Sequence, residues 1–184
     1  MVILEGGRII LRPLSKRDIN KRYLSWLNDK EVTRYMETGR VRVTMKDLWQ
    51  FYNRIRRSDK DIIFAICDKK NKFHIGNIKL GGINHFHRFC DIGIMIGDKE
   101  YWGKRYCQEA CGRVLSYAFN TLGLNKVMLG VYAPHKAAIE AYKKSGFRTE
   151  GRLKRTLLLD GKYVDKVIMG MTRSDFTKRK KEKQ

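Results

Sequence analysis

FCDIGIMIGDKEYWGKRYCQEACGRVLSYAFNTL, residues 89–122, is the stretch that decides the fold. Its apolar run through Gly97 predicts a buried strand, and the polar segment DKEYWGKRY that follows predicts a loop. The apolar spacing then becomes helical through about Leu122, and Gly123 is typical of the residue just after a helix. The stretch therefore predicts a strand–loop–helix unit.

The segments on either side continue the alternation of strands and helices. The patterns give a strand at 8–14, a helix beginning near Ser15, a helix capped by Thr44, a hairpin at 61–83, a strand at 126–133, a helix at 135–145 and two strands around the Asp160-Gly161 turn. Because hairpins lie among the helical units, we predict an α/β fold with a mixed sheet rather than a wholly parallel one.

Length and composition favour one domain. The chain has 184 residues, 42% of them hydrophobic, which suits a single core. The last eight residues, TKRKKEKQ, are too polar to join it. We predict a domain over residues 1–176 and a basic solvated tail over 177–184.

The chain is strongly basic, with 40 Lys and Arg against 19 Asp and Glu and a net charge of +21. Such a charge favours anionic partners and disfavours cationic acceptors such as polyamines or aminoglycosides. A non-catalytic nucleic-acid-binding module is one interpretation, supported by the tail and nine tyrosines. The basic residues are scattered rather than striped on one face, which is more typical of a solvated surface.

Location is predicted from what the chain lacks. No apolar run reaches the roughly 20 residues of a membrane span, and MVILEGGRII has no basic start or long apolar core of a secretion signal. The four cysteines show no CxxC pairing. We expect a cytoplasmic protein with reduced thiols.

Two segments could bind an anionic cofactor. In WGKRYC (102–107), Gly103 and a basic pair open a helix, where free N–H groups suit a diphosphate, although a lone glycine there is more often part of a turn. In HKAAIEAYKKSGF (135–147), alanines give one face of a helix small side chains. Such a face either lets a ligand lie close to the helix or packs tightly on a strand.

Together, EYWGKRYCQEA, HKAAIEAYKKSGF and the final hairpin resemble the GNAT superfamily of acetyl-CoA-dependent N-acetyltransferases. The likeness covers about residues 8–172 and is strongest to the branch with the ribosomal-protein Nα-acetyltransferases. WLNDKEVTRYM (26–36) also resembles members that acetylate nucleotide-linked amino sugars. The resemblance implies about seven mostly antiparallel strands, a V-shaped split between two parallel central strands and about four helices.

The resemblance also implies where acetyl-CoA binds. Its pantetheine arm would pair with the strand backbone, its diphosphate would lie on the loop, and its sulfur would lie near a tyrosine that returns a proton to the leaving thiolate. The corresponding residues here are Met95, Ile96 and Gly97 for the arm, Trp102, Gly103, Lys104, Arg105, Tyr106 and Cys107 for the loop, His135 and Ala138 for further contacts, and Tyr142 for the proton.

Three positions depart from the family pattern. Arg105 stands where glycine is usual, so either the loop shifts or its N–H still points inward with the side chain outward. Cys107 replaces a smaller residue and is either an inert thiol or one activated by the helix N-terminus. His135 replaces an asparagine and is a cofactor contact, a polar residue at the helix start, or incidental.

The base that takes the proton of the amine is predicted to be Asp91, on the strand beside the thioester. Glu140, on the helix of Tyr142, competes less well. His85 and His87 suggest either a metal site or contact with the acceptor. Three ligands with Cys90 but no acidic fourth make a metal site weak, so we expect no metal. Tyr35 is a further candidate for acceptor binding.

The predicted reaction is direct attack of a primary amine on acetyl-CoA in a ternary complex. Two acceptor classes remain open: a nucleotide-linked amino sugar, and a protein N-terminus such as that of a ribosomal protein. The net charge suits an anionic sugar nucleotide or an RNA-rich particle. Family members are often dimers, so the resemblance allows a homodimer.

Overall fold

A mixed eight-stranded sheet forms the centre of the chain in a computed structural model, which describes residues 2–181. The strands are β1 (Leu4–Glu5), β2 (Ile9–Pro13), β3 (Ile62–Asp68), β4 (His74–Asn84), β5 (Phe89–Ile96), β6 (Lys126–Tyr132), β7 (Arg148–Leu159) and β8 (Lys162–Thr172). Their order is β1-β2-β3-β4-β5-β6-β8-β7, and only β5 and β6 run parallel. The predicted mixed sheet is confirmed, with the short β1 as an addition.

Five α-helices flank the sheet: α1 (Lys21–Asn28), α2 (Met45–Arg56), α3 (Tyr106–Ser116), α4 (Lys136–Ser145) and α5 (Arg173–Lys181). The predicted cap of α2 is present, since the Asp47 N–H donates to Thr44 Oγ1 over 3.2 Å. Ser15 and Asp18 cap only a short 3-10 turn, and Asn20 caps α1 instead. The helix after β5 leaves α-geometry earlier than expected, because a π-helical turn covers Tyr117–Thr121.

The two faces of the sheet carry different helices. On one face α3 and α4 cover a large apolar cluster that includes Phe64, Phe119 and Met169. On the other face α1 and α2 cover a smaller cluster that includes Trp26 and Leu48. Successive side chains of a strand point to opposite faces, so each central strand contributes to both layers.

The expected split lies between β5 and β6. These strands pair only where Phe89–Asp91 face Lys126–Met128, and beyond that point they are unpaired. The Gly97 N–H donates to the Ile75 carbonyl over 2.9 Å, and backbone groups alternate in direction along a strand. The free edge of β5 therefore presents the backbone groups of Ile92, Ile94 and Ile96.

The same alternation fixes the opposite edge of the split. The Ala133 N–H donates to the Asp165 carbonyl over 2.9 Å, so the backbone of Ala133 faces β8. Gly130 and Tyr132 consequently turn their backbone groups toward β5. The result is a wedge into which backbone amide and carbonyl groups point from both edges.

Helix α5 extends into the segment predicted as a tail. Residues 177–181, assigned to the tail from the sequence, continue helix α5, and the Arg179 guanidinium donates to the Lys144 carbonyl. The remainder of the predicted tail, 182–184, lies outside the described residues. No helix within residues 2–181 is long and apolar enough to cross a membrane.

Candidate active site

The free edge of β5 is where a pantetheine arm could pair. Of the three residues expected to do this, Ile96 faces the split, whereas Met95 and Gly97 turn their backbone groups toward β4. Met95 and Gly97 were also predicted to pair with the arm. Their backbone groups face β4, where Met95 is paired with Asn77 and the Gly97 N–H bonds to Ile75, so they are directed away from the split. The Ile96 carbonyl accepts a hydrogen bond from the Trp102 indole Nε1 over 2.7 Å. Any further donor would share this carbonyl oxygen with Trp102, because a carbonyl oxygen has two lone pairs.

The loop before α3 has the backbone of a glycine-rich anion site. Gly103 has φ +71°, and Arg105, at the N-cap of α3, has φ +66° and ψ +16°. This left-handed conformation is the one that glycine adopts without strain. Arg105 is exposed, which agrees with the interpretation that its side chain points outward. The first N–H groups of α3 remain available to an anion.

Arg8 holds the loop in shape. Its Nε and its backbone N–H donate to the two oxygens of Glu109 over 3.0 and 2.7 Å, and its guanidinium donates to the Lys104 carbonyl over 3.0 Å. The same guanidinium lies 4.5 Å from the centre of the Tyr106 ring, whose hydroxyl donates to Asp68 over 2.9 Å. These contacts tie the start of α3 to β3 and to the residue before β2, so the loop is fixed from outside.

Arg105 should be a strained position with a measurable cost. A left-handed non-glycine residue costs about 1 kcal/mol, and the extra freedom of glycine in the unfolded chain returns about 0.5 kcal/mol of that. Arg105→Gly is therefore expected to raise the free energy of unfolding by about 0.5 kcal/mol, measured by urea denaturation. Arg105→Ala keeps the strain and is the matched control. Equal stability of the two variants would contradict the strain argument.

Tyr142 projects from α4 into the apolar layer under the split. It is buried, and its ring packs edge-on against Phe147 at 5.7 Å. Burial raises the pKa of the Tyr142 phenol well above its ordinary value, and the nearby thiols of Cys111 and Cys107 add to this. The phenol therefore holds its proton at neutral pH, as a proton donor must.

Cys107 and Cys111 lie one turn apart on α3 beside Tyr142. A hydrogen bond between the two thiols lowers the pKa of Cys107 and raises that of Cys111. Cys111 and the neighbouring Ala110 are fully buried, whereas Cys107 is partly accessible. The activated interpretation of Cys107 gains support from this bond, although the inert one requires only its packing.

His135 stands at the start of α4 and is stacked on Tyr35, with ring centres 4.1 Å apart and planes at 12°. Tyr35 also lies 5.8 Å from Tyr132, whose hydroxyl accepts a hydrogen bond from Arg40 over 2.9 Å. Burial lowers the pKa of His135, which keeps the ring neutral. The imidazole does not cap the helix. The structure thus brings Tyr35 and His135 together at the open end of the split.

Asp91 lies where the split begins, paired in register with Met128. Its side chain points to the face opposite Cys90 and Ile92, which is the face of α1 and α2. Burial raises its pKa, and Lys166 and Lys79 partly offset that rise. Because the diphosphate loop and α4 occupy the other face, an acceptor would approach from the side of Asp91.

Three other sequence candidates lie elsewhere. Glu140 is exposed on the outer surface of α4 and paired with Lys143 at 2.9 Å. His85 and His87 are exposed in the turn before β5, at the end where β5 and β6 are paired rather than split. The structure therefore does not bring these two histidines to the predicted acceptor site. Within residues 2–181, no group of three or more His, Cys, Asp or Glu could hold a metal ion.

Several residues that shape the site were not found from the sequence. They are Arg8, Arg40, Gly130, Tyr132 and Lys166. One part could have been predicted, because backbone groups alternate in direction along a strand. This alternation separates Ile92, Ile94 and Ile96, whose backbone groups face the split, from their neighbours. The other contacts join segments far apart in the chain, and no local pattern marks them.

Comparison with known proteins agrees with this geometry. Residues 8–148 match the model of a family described as acetyltransferase (GNAT) domain. The spermidine N(1)-acetyltransferase of Escherichia coli K12 is 32% identical over 163 residues, which are 86% of this chain and 83% of that protein. The [ribosomal protein uS5]-alanine N-acetyltransferase of the same strain is 30% identical over 128 residues, 68% of this chain and 64% of that protein.

A solved structure shares the whole architecture. The crystal structure of spermidine N-acetyltransferase from Vibrio cholerae, in complex with CoA and spermine, superposes with a TM-score of 0.86 at 26% identity. The match covers 94% of this chain and 99% of that one. The likeness therefore includes both edges of the split and the helices around it.

Proposed function

The chain belongs to the acetyltransferase (GNAT) family and is an N-acetyltransferase with acetyl-CoA as donor, and on this premise we propose that its acceptor is a primary amine on an anionic molecule. A nucleotide-linked amino sugar is the acceptor class that fits best. The enzyme activity excludes the non-catalytic nucleic-acid-binding interpretation.

In this proposal the residues of the split divide the reaction between them. The free N–H groups of β5 orient the donor and stabilise the oxyanion that forms on the thioester carbonyl. Asp91 takes the proton that the attacking amine loses, and Tyr142 gives a proton to the departing thiolate. Gly103, Arg105 and the start of α3 receive the diphosphate.

The charge of the acceptor side is the observation that carries the proposal. Two segments, 29–45 and 152–166, border that side, since Arg40 of the first bonds to Tyr132 and to the Leu158 carbonyl of the second. They contain nine Lys and Arg against five Asp and Glu. Such a surface attracts a phosphate-bearing acceptor and repels a polyamine.

The acidic residues on this side are largely neutralised. Asp29 and Glu31 both pair with Lys99, at 2.8 and 2.6 Å. Asp160 pairs with Arg34 at 3.2 Å, and Asp165 pairs with Arg152. Four of the five carboxylates are therefore engaged with cations of the protein itself, and a polyamine would have to displace those cations.

A polyamine is nevertheless the second candidate, because the spermidine acetyltransferases named above match nearly the whole chain. A protein N-terminus is the third candidate acceptor, since a ribosomal-protein acetyltransferase also matches. The three acceptor classes differ in charge, so the effect of salt on kcat/KM distinguishes them.

The test compares kcat/KM for a uridine-diphosphate amino sugar, spermidine and an alanine-initiated peptide, by release of CoA at two salt concentrations. We expect the amino sugar to be the best acceptor and its kcat/KM to fall with salt, because screening weakens attraction. Any value for spermidine should rise with salt, since screening weakens repulsion. A higher kcat/KM for spermidine at physiological salt would overturn the acceptor assignment and leave the acetyltransferase intact.

A further inference from the structure

The Lys166 side chain extends from β8 across the face of β6, the strand that borders the split. It is paired in register with Tyr132, and its side chain leans over Gly130 on the neighbouring strand. A Cβ atom at Gly130 would contact the Lys166 Cε and lie 3.0 Å from its Nζ. Because Gly130 has no side chain, the lysine amine lies over the face of β6, two residues beyond the end of its pairing with β5.

The amine lies on the acceptor face of the sheet. Gly130 and Tyr132 point away from the apolar cluster that contains Leu129 and Val131, and Asp91 points away from it in the same direction. The charge of Lys166 is near enough to act on the Asp91 carboxyl. A primary amine of the protein and the predicted base are thus neighbours at the start of the split.

Two other lysines on this face, both on central strands, are held by carboxylates. Lys79 lies 2.7 Å from Asp61, and Lys126 lies 2.8 Å from Glu150. Lys166 takes part in none of the ion pairs found among the described residues. Of Lys79, Lys126 and Lys166, only Lys166 forms no ion pair with a carboxylate among the described residues.

We propose that the protein acetylates Lys166 of its own chain when acetyl-CoA is bound and no acceptor is present. The inference rests on the proposed function, because it uses the same split, base and acid. It adds a modification site and a second acceptor, the side-chain amine of the enzyme itself.

The step balances without any further reagent. Once the Lys166 ammonium has lost a proton to solvent, its Nζ forms a C–N bond to the thioester carbonyl carbon, and the C–S bond breaks. Asp91 takes the proton that the nitrogen loses, and the thiolate takes the Tyr142 proton. Solvent then returns the proton from Asp91 to Tyr142, so the products are acetyl-Lys166 and coenzyme A.

The experiment incubates the full chain with acetyl-CoA alone and follows each lysine by peptide mass spectrometry. We expect Lys166 to gain an acetyl group at least about tenfold faster than Lys154 and Lys162, because proximity favours an amine held beside the thioester. These two exposed lysines of the same hairpin report the non-enzymatic background. The rate per molecule should not change with protein concentration, because the reaction is intramolecular.

Two variants sharpen the result. Lys166→Arg should abolish the signal at that position and leave Lys154 and Lys162 unchanged, whereas Lys79→Arg should leave the signal at Lys166. A rate at Lys166 equal to background, or one that rises in proportion to protein concentration, would overturn the proposal. If external amines are acetylated while Lys166 stays at background, the inference fails and the proposed function stands; if neither is acetylated, both fail.

Discussion

Replacing Tyr142 by phenylalanine is expected to lower kcat by about 10²-fold or more, the usual contribution of a positioned proton donor. The substitution removes the phenolic oxygen and keeps the ring that packs on Phe147. Acetyl-CoA affinity should change little, because the backbone of β5 and the loop before α3 are untouched. Steady-state kinetics with the best acceptor, together with calorimetric titration of acetyl-CoA, measures both quantities.

Tyr117→Phe is the matched control. Its ring lies in the same apolar layer but packs on Phe64, at 5.7 Å, rather than beside the thiols of α3. That variant should keep its turnover. If Tyr142→Phe also kept its turnover, the thiolate would have to receive its proton from another group.

Asp91→Asn is expected to lower kcat/KM by about 10²-fold at neutral pH, because the amide cannot accept the proton of the amine. The wild-type enzyme should lose activity as the pH falls through the raised pKa of Asp91, since a base works only when deprotonated. The raised pKa places this acid limb above the pH at which an ordinary aspartate titrates. The variant should lack the limb altogether.

Stability should move in the opposite direction from activity. A carboxyl whose pKa is raised by folding destabilises the folded state at pH values above that pKa. Asp91→Asn removes the buried charge and should therefore keep or raise the melting temperature at neutral pH while activity falls. Glu140→Gln, on the exposed surface of α4, should change neither quantity. A pH profile of Asp91→Asn identical to that of the wild type would remove Asp91 from the role of base.

The order and type of most elements could be predicted from the sequence because they depend on local patterns. The strand that ends at Ile96 and the cap at Thr44 follow from apolar spacing and from single residues. The boundary of α3 could not be predicted, since the change to π-geometry at Tyr117 leaves the apolar spacing intact.

The site was predictable only in part, for a different reason. The loop and the tyrosine lie in short motifs, whereas the role of Lys166 depends on the register of β8 against β6. Likewise the bond from Trp102 to Ile96 depends on how the loop folds back over the strand. Such contacts are set by tertiary packing, which a local pattern does not encode.

The position of β8 between β6 and β7 also sets when activity can appear during synthesis. The outer edge of β6 pairs with β8 along its whole length, and β8 ends at Thr172. Because the chain is made from its N-terminus, β6 is made forty residues before the end of β8, the strand that pairs with its outer edge. A growing chain on the ribosome therefore lacks the support for one wall of its active site until β8 has been made, and acetyl transfer begins only after β8 has paired with β6.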